Sequence, residues 1–189
     1  MDSGSPPLLE GKRTRLRAYH RTDLNAAVQF LNQHEVRSLL EPGILFPLRM
    51  EDEEQWYQSF SAISEGVYHF AIERIDTGEY IGGCGINQVS QKSRVATLGI
   101  FLGAMHQNQG FGSEAMQLLI DFCFLEMNLN KVKLRVYAFN QRAIHCYQRL
   151  GFQTEGVQRQ EIFRNGTYHD EWLMALLRTE WKSQRGKSH

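Results

Sequence analysis

A glycine-rich segment between an apolar stretch and an amphipathic stretch is the first candidate for chemistry in this sequence. The pattern Gln107-x-x-Gly110-x-Gly112 follows the apolar residues 96–102 and precedes a predicted helix over residues 113–127. A loop in this position can direct free backbone N–H groups at a phosphate group, supported by the helix dipole, and glycines leave room for the anion. The segment lacks the G-x-x-x-x-G-K-[ST] pattern, which argues against hydrolysis of nucleoside triphosphates.

The same glycines also match the pattern of dinucleotide-binding folds through Gly110-x-Gly112-x-x-Ala115. Two observations count against that fold. The glycines begin eight residues beyond Leu102, and the next predicted strand, Lys131–Val136, has no Asp or Glu that could bind a ribose. The three strands predicted before the loop form a meander, which conflicts with a doubly wound sheet. A nicotinamide-dependent oxidoreductase is therefore a disfavoured alternative.

A second pattern lies at residues 140–152, which read N-x-x-A-I-x-x-Y-x-x-x-G-F. Asn140 stands where a helix N-cap belongs. Tyr147 shares the apolar face of this helix with Leu150. A tyrosine in such a place usually packs into the core, but its hydroxyl stays protonated at neutral pH and can donate a proton. Both interpretations of Tyr147 stay open at this point.

Hydrophobic periodicity predicts strands and helices in the order βα(α)βββαβαββ, which gives a mixed, mostly antiparallel sheet with helices packed on it. Residues 35–50 are predicted to be a loop, and Asn165-Gly166 predicts a hairpin turn. The predicted strands are Lys12–Ala18, Tyr68–Arg74, Glu79–Val89, Arg94–Leu102, Lys131–Val136, Glu161–Arg164 and Thr167–Leu177, with extended chain from Phe152 onward. The predicted helices are Leu24–Leu31, residues 51–63, residues 113–127 and Asn140–Leu150.

Composition and charge limit the classes of protein to which this chain can belong. A chain of 189 residues with 42% hydrophobic and 22% charged residues is typical of one globular domain. Its 21 basic residues balance 21 acidic residues, which argues against a nucleic-acid-binding protein. No apolar run is long enough to span a membrane. We expect a disordered lead at residues 1–9, a single domain at residues 10–178 and a frayed basic tail at residues 179–189.

The three cysteines, Cys84, Cys123 and Cys146, are far apart and form no C-x-x-C pair. Neither a disulfide framework nor a metal site is therefore predicted, and a reducing, cytoplasmic location is expected. All three lie in apolar patterns, so we expect them in the core rather than as nucleophiles.

The two patterns together resemble those of the GCN5-related N-acetyltransferase (GNAT) superfamily. The coenzyme A loop of that family reads Gln/Arg-x-x-Gly-x-Gly/Ala, and its second motif reads Asn-x-x-Ala-x-x-x-Tyr-x-x-x-Gly-Phe. Leu16-Arg17, Asp23-Leu24 and the G-x-Y-x-D of residues 166–170 resemble the subgroup of ribosomal-protein N-terminal and spermidine acetyltransferases. The resemblance covers about residues 10–178.

The resemblance implies an α+β fold of three layers, with helices on both faces of a central sheet that splays apart where the cofactor binds. It also implies acetyl-CoA as cosubstrate and no metal. It implies that the backbone of residues 100–102 pairs with the pantetheine arm and that residues 107–112 surround the pyrophosphate. It also implies that Tyr147 is the general acid that protonates the departing thiolate. The implied cofactor-binding residues are Ile100, Phe101, Leu102, Gln107, Asn108, Gln109, Gly110, Phe111, Gly112, Asn140 and Tyr147.

The general base is the position that the sequence leaves open. Many relatives place a carboxylate on the strand that leads to the loop, where this chain has Thr97, and a hydroxyl cannot serve as a base at neutral pH. Glu41, after the first helix, and Asp170, on the last hairpin, are the substitute catalytic residues. His106 is of a residue type suited to base catalysis, but it precedes the loop and is predicted to face solvent.

The expected function is direct transfer of an acetyl group to a primary amine, with a protein N-terminus of the ribosomal-protein type as the first acceptor. Polyamines of the spermidine type and other small amines, such as antibiotics, are alternatives. Residues 35–50 and 160–170, which form the acceptor pocket in this fold, carry mixed charge, whereas a polyamine site should be plainly acidic. A non-catalytic coenzyme A-binding sensor is the alternative of another class, supported by Thr97. Pairing of two chains into a homodimer, through the edges of the last hairpin, is left open.

Overall fold

One seven-stranded sheet is the centre of the computed structural model, which describes residues 9–40, 43–59 and 66–186. The order of its strands is β1-β2-β3-β4-β5-β7-β6. The strands are β1 (Thr14–Arg17), β2 (Tyr68–Arg74), β3 (Tyr80–Ser90), β4 (Val95–Leu102), β5 (Lys131–Tyr137), β6 (Gln153–Arg164) and β7 (Thr167–Leu177). The helices are α1 (Leu24–Leu31), α2 (His34–Arg37), α3 (Met50–Gln58), α4 (Phe111–Leu125), α5 (Gln141–Arg149) and α6 (Arg178–Arg185).

The sheet splays apart between β4 and β5. Every other neighbouring pair of strands is antiparallel, but β4 and β5 run parallel, joined through α4. Their pairing covers only Val95–Thr97 against Lys131–Lys133. The remaining residues of both strands, up to Leu102 and Tyr137, therefore leave a gap in the middle of the sheet.

Apolar residues cover both faces of this sheet. The larger core lies under α4, where Ala115, Leu119 and Phe124 have no exposed surface. A smaller core lies under α1 on the opposite face, and it includes Ala27 and Tyr80. The predicted α+β class, with a mostly antiparallel, splayed sheet and helices on both faces, is confirmed.

Two of the predicted element boundaries need correction. The stretch 35–50 is not entirely a loop, because His34–Arg37 forms α2 and buries Val36 to 2% exposure. A single helical turn of this kind is too short to produce a recognisable period. The following helix ends at Gln58, and the part of the prediction that extends to Ile63 lies outside the described residues.

The C-terminal segment also differs from the prediction, since the expected frayed tail begins with helix α6. Trp181 on this helix is 5% exposed, and its ring lies 5.2 Å from that of Phe124 on α4. Its indole N–H donates to Asp121 at 2.8 Å, and Arg185 donates to the same carboxylate at 2.6 Å. One buried aromatic side chain and one buried acceptor therefore anchor a helix whose sequence is otherwise polar.

At the N-terminal end, the prediction of a disordered lead is wrong for Leu9, which is 6% exposed and belongs to the larger core. Residues 1–8 and 187–189 lie outside the described residues, and the division into lead, domain and tail stays a prediction. In the described part of the chain, no helix is long and apolar enough to cross a membrane.

Candidate active site

A cavity of about 730 Å³ opens where β4 and β5 separate. Residues 98–102 of β4 and 134–137 of β5 line it from the two sides of the gap. Helix α5, the segment 107–113 and the β6–β7 hairpin contribute further walls. Val36, Leu39 and Leu40, in and just after α2, add an apolar surface. The cavity therefore lies between the segment with the glycine-rich pattern and the helix with the N-x-x-A-I-x-x-Y pattern.

The glycine-rich loop ends in the N-terminus of α4. Gly110 is the N-cap of this helix and has a φ of +87°, a backbone conformation that favours glycine. A Cβ atom at Gly112 would lie 3.3 Å from Leu102 Cδ1, so the second glycine lets the helix approach β4 closely. The N–H groups of the first turn and the positive end of the helix dipole lie at this loop, which fits an anionic group such as a pyrophosphate.

Nine of the predicted cofactor-binding residues line the cavity. They are Ile100, Phe101, Leu102, Gln107, Asn108, Gly110, Gly112, Asn140 and Tyr147. Gln109 and Phe111 do not line it. The side-chain amide of Gln109 donates to the carbonyl of Met105 at 2.7 Å, and the Phe111 ring is buried in the larger core. The side chains of Gln109 and Phe111 thus make their contacts outside the cavity.

Gln107 bridges the two sides of the cavity. Its side-chain N–H donates to the carbonyl of Leu102, at the end of β4, at 3.0 Å. Its side-chain oxygen accepts from the guanidinium of Arg142, in the first turn of α5. Gln107 therefore fixes the loop relative to both the strand and the helix.

Helix α5 positions Asn140 and Tyr147. Asn140 is the N-cap, and its Oδ1 accepts from the N–H of Ala143 at 3.2 Å, as predicted. The Tyr147 ring packs 5.8 Å from that of Phe152, and the residue also lines the cavity. Burial raises the pKa of the Tyr147 hydroxyl above its ordinary range, so the hydroxyl stays protonated at neutral pH. Packing and proton donation are thus compatible in this geometry.

Of the two residues proposed as base, one is not described by the structure and the other does not line the cavity. Glu41 lies outside the described residues. Asp170 does not line the cavity, and its Oδ1 accepts from the backbone N–H of Gln160 at 2.9 Å. The prediction that His106 faces solvent is wrong, because it is 3% exposed and its ring packs 5.7 Å from that of Phe30.

Glu171, the residue after Asp170, does line the cavity, and sequence reasoning did not select it as a base. It is 6% exposed and lies opposite Tyr137 in the β5–β7 pairing. Burial raises the pKa of its carboxyl group, while Arg135, whose guanidinium lies 3.2 Å away, opposes that rise. Successive residues of a strand point to opposite faces, so only one of the two neighbouring acids can face the cavity.

Asn87 is a second residue that the sequence patterns did not indicate. Ile86 of β3 pairs with Leu98, and Gln88 pairs with Thr97, so Asn87 is the extra residue of a β-bulge. Its amide nitrogen would lie 2.8 Å from a Cβ atom at position 99, where the chain has glycine. Asn87 and Thr97 both line the cavity. Bulges commonly redirect a side chain in this way next to active sites.

The cysteines divide into two groups. Cys84 and Cys123 are buried as expected, and burial raises the pKa of both thiols. Cys146 instead lines the cavity, with its Sγ 3.0 Å from the Ser113 hydroxyl. Its position differs from the core position expected from the apolar pattern.

The charged residues of the cavity are of both signs. They are Arg135, Arg142, Arg149, Glu161 and Glu171. Within residues 9–40, 43–59 and 66–186, no group of three or more potential metal-ligating side chains is present. The side chains available in the cavity are thus suited to anion binding, amine binding and proton transfer.

Residues 13–153 match the family model described as an acetyltransferase (GNAT) domain. The chain belongs to this family. The expected family is thereby confirmed, and with it the assignment as an acyltransferase that uses acetyl-CoA.

Three relatives illustrate the similarity. The uncharacterized N-acetyltransferase p20 of Bacillus licheniformis is 38% identical over 59% of this chain, and the matched stretch spans 63% of that protein. Spermidine N(1)-acetyltransferase of Escherichia coli K12 is 26% identical over 92% of this chain and 86% of its own length. The structure of spermidine N-acetyltransferase from Vibrio cholerae, in complex with CoA and spermine, has a TM-score of 0.81 at 26% identity and covers 91% of this chain and 99% of its own.

Proposed function

We propose that this GNAT enzyme transfers an acetyl group from acetyl-CoA to a primary amine of a polyamine. The observation that carries the proposal is Glu171, a buried carboxyl group in the wall of the cavity. Polyamines are acceptors of two relatives that match over nine-tenths of the chain, by the names those relatives bear. The sequence predicts a ribosomal-protein N-terminus first and a polyamine as an alternative. The names of these relatives support the polyamine better.

The acceptor side of the cavity suits a chain of methylene groups between ammonium groups. Leu39, Leu40 and Ile162 supply apolar contacts for methylene groups. Glu161 and Glu171 supply carboxylates for ammonium groups, and charge-assisted hydrogen bonds of this kind are short and strong. Arg164 is one of the basic residues that give the segment 160–170 its mixed charge. It does not line the cavity, because its guanidinium donates to the carbonyl of Gly43.

The loop side of the cavity suits the cosubstrate. β4 is paired only with β3 beyond Thr97, so the other edge of residues 98–102 can bind the amide groups of the pantetheine arm. Gly110 and Gly112 can admit the pyrophosphate to the N-terminus of α4. Acetyl-CoA supplies the activated acetyl group, and the protein contributes orientation and proton transfer.

Two residues are suited to the two proton transfers. The acceptor must lose a proton before its nitrogen can attack, and Glu171 can accept it because burial has made the carboxylate more basic. The departing thiolate must gain a proton, and the Tyr147 hydroxyl can donate it. Because Glu171 and Tyr147 can carry out both proton transfers, no nucleophile on the enzyme is needed, and we infer direct transfer in a ternary complex.

Thiol release from acetyl-CoA, measured with a panel of acceptors, tests this proposal. The panel contains spermidine, spermine, an aminoglycoside and short peptides with free N-termini. Spermidine or spermine should give the highest kcat/KM. A highest value with the peptides would instead establish the N-terminal acceptor, and a highest value with the aminoglycoside would establish an antibiotic acceptor.

The role of Tyr147 is tested with Tyr147→Phe. Loss of a general acid should lower kcat by about 10²-fold or more. Tyr168→Phe is the matched control, because Tyr168 is 62% exposed at the tip of the β6–β7 hairpin and does not line the cavity. Equal turnover by the two variants would remove Tyr147 from the mechanism.

We also infer that the chain self-associates through this hairpin. β6 is the last strand of the sheet, and Phe163 and Tyr168 are 54% and 62% exposed with ring centroids 4.9 Å apart. Exposed aromatic side chains beside an unpaired strand edge favour pairing with another chain. Light scattering of wild type and Phe163→Ser tests this, and a monomeric wild type would contradict it.

A further inference from the structure

Arg13 lies just before β1, behind the glycine-rich loop and outside the cavity. Its Nη1 donates to the backbone carbonyl of Gln109 at 2.8 Å. Its guanidinium carbon lies 4.2 Å from the centre of the Phe111 ring, a distance typical of a cation–π contact. Arg13 therefore contacts the residues on either side of Gly110.

The backbone at Arg13 is itself attached to helix α4. The N–H groups of Lys12 and Arg13 both donate to the Glu114 carboxylate, in the first turn of α4. This carboxylate lies near the positive end of the helix dipole, which favours its negative charge. The backbone of Arg13 is thus attached to helix α4, which follows the loop, and its side chain binds the loop itself at Gln109.

The bond to Gln109 fixes the orientation of one peptide group. In a trans peptide, the C=O of Gln109 and the N–H of Gly110 point in opposite directions. Because Arg13 binds the carbonyl from outside the cavity, the Gly110 N–H points away from Arg13. Gly110 lines the cavity and has no side chain that would restrict its backbone, so the Arg13 bond restricts the orientation of the peptide group between Gln109 and Gly110.

We propose that Arg13 is a positioning residue for the phosphate-binding loop, which it holds with the Gly110 N–H directed at the pyrophosphate of the cosubstrate. The inference rests on the proposed function, because it takes the loop at residues 107–112 as the pyrophosphate site. Its consequence is specific: Arg13 should matter for donors that carry the pyrophosphate and should not matter for donors that end at pantetheine.

The test compares two donors, acetyl-CoA and S-acetylpantetheine, with Arg13→Gln and a matched control. The control is Arg74→Gln, since Arg74 also lies over the Phe111 ring, at 5.2 Å, but its guanidinium binds Asp76 and not the loop. For Arg13→Gln, the ratio of kcat/KM for acetyl-CoA to that for S-acetylpantetheine should fall about tenfold, which corresponds to about 1.4 kcal/mol. For Arg74→Gln, this ratio should stay within about twofold of wild type.

A ratio of two donors does not depend on the fraction of folded enzyme, so a general loss of stability cannot imitate the expected result. Calorimetric titration with CoA gives a second readout, in which Arg13→Gln should bind about tenfold more weakly than wild type. An unchanged ratio, or an equal loss with both donors, would overturn the positioning role. Failure of the wild-type protein to bind CoA would instead refute the proposed function itself, so the two failures are distinguishable.

Discussion

Replacement of Glu171 by Gln removes the proposed base and keeps the size of the side chain. Glu171 is 6% exposed, so the amide would occupy the same position in the cavity wall. Its ion-pair partner Arg135 has a side chain that is 60% exposed, and water can solvate the guanidinium once the carboxylate is gone. We therefore expect Glu171→Gln to fold normally and to lose activity.

The size of the loss follows from the acceptor amine. An alkyl ammonium with a pKa of about 10.4 has only about one molecule in a thousand neutral at about pH 7.4. Without a base on the enzyme, only this neutral fraction reacts, so kcat/KM for the amine should fall by about 10²- to 10³-fold, within the usual range for general base catalysis. Each unit of higher pH raises the neutral fraction about tenfold, so the difference from wild type should nearly vanish at about pH 10.

The assay is thiol release with spermidine as acceptor, measured from about pH 6 to about pH 10. Wild-type kcat/KM should show an acid limb, a fall that sets in as Glu171 is protonated. Glu171→Gln should show no break from this group, and its kcat/KM should instead rise about tenfold with each pH unit up to the pKa of the amine. Asp170→Asn is the matched control, because its carboxylate accepts from Gln160 and does not line the cavity. Activity of Glu171→Gln within about threefold of wild type at neutral pH, or an unaltered acid limb, would refute the assignment of the base.

Three further predictions concern charge and packing. The Arg135 guanidinium partly offsets the rise that burial causes in the pKa of the Glu171 carboxyl group. Arg135→Gln should therefore move the acid limb of the pH–rate profile to higher pH, and a shift to lower pH would contradict the pairing. Trp181→Ala removes a 5%-exposed ring from its contact with Phe124. The free energy of unfolding should fall by about 3–5 kcal/mol, and the Tm in a thermal melt should fall by roughly 6–20 °C. An unchanged Tm would show that α6 is dispensable for stability. Glu53 is 5% exposed, and burial raises the pKa of its carboxyl group. The protonated carboxyl group therefore favours the folded state, and this contribution is lost as the pH rises through the folded-state pKa. Glu53→Gln should raise the Tm at neutral pH, and the difference in Tm from wild type should shrink in acid.

Much of the fold could be predicted because its signals are local. The bounds of β2 agree with the predicted Tyr68–Arg74, where alternation ends at the turn of residues 76–78. Asn165-Gly166 predicts the hairpin, and Arg164 indeed pairs with Thr167 on either side of it. The anchoring of α6 was missed because it depends on Asp121, a residue far away in sequence that accepts from both Trp181 and Arg185. Trp181 is the single apolar residue of α6, and one apolar position cannot show a helical repeat.

The choice between Asp170 and Glu171 shows why the proposed base could not be predicted from the sequence. From the hairpin turn, regular pairing continues up to Ile162 opposite His169, and the next pair is Gln158 opposite Glu171. Three residues of β6 therefore face one residue of β7, and Gln160 in this bulge has a φ of +53°. Asp170 accepts the N–H of Gln160 and thereby stabilises the bulge. Asp170, the acid predicted as a base from its place on the last hairpin, thus serves the backbone, while its neighbour lines the cavity. A bulge of this kind leaves no mark on hydrophobic alternation.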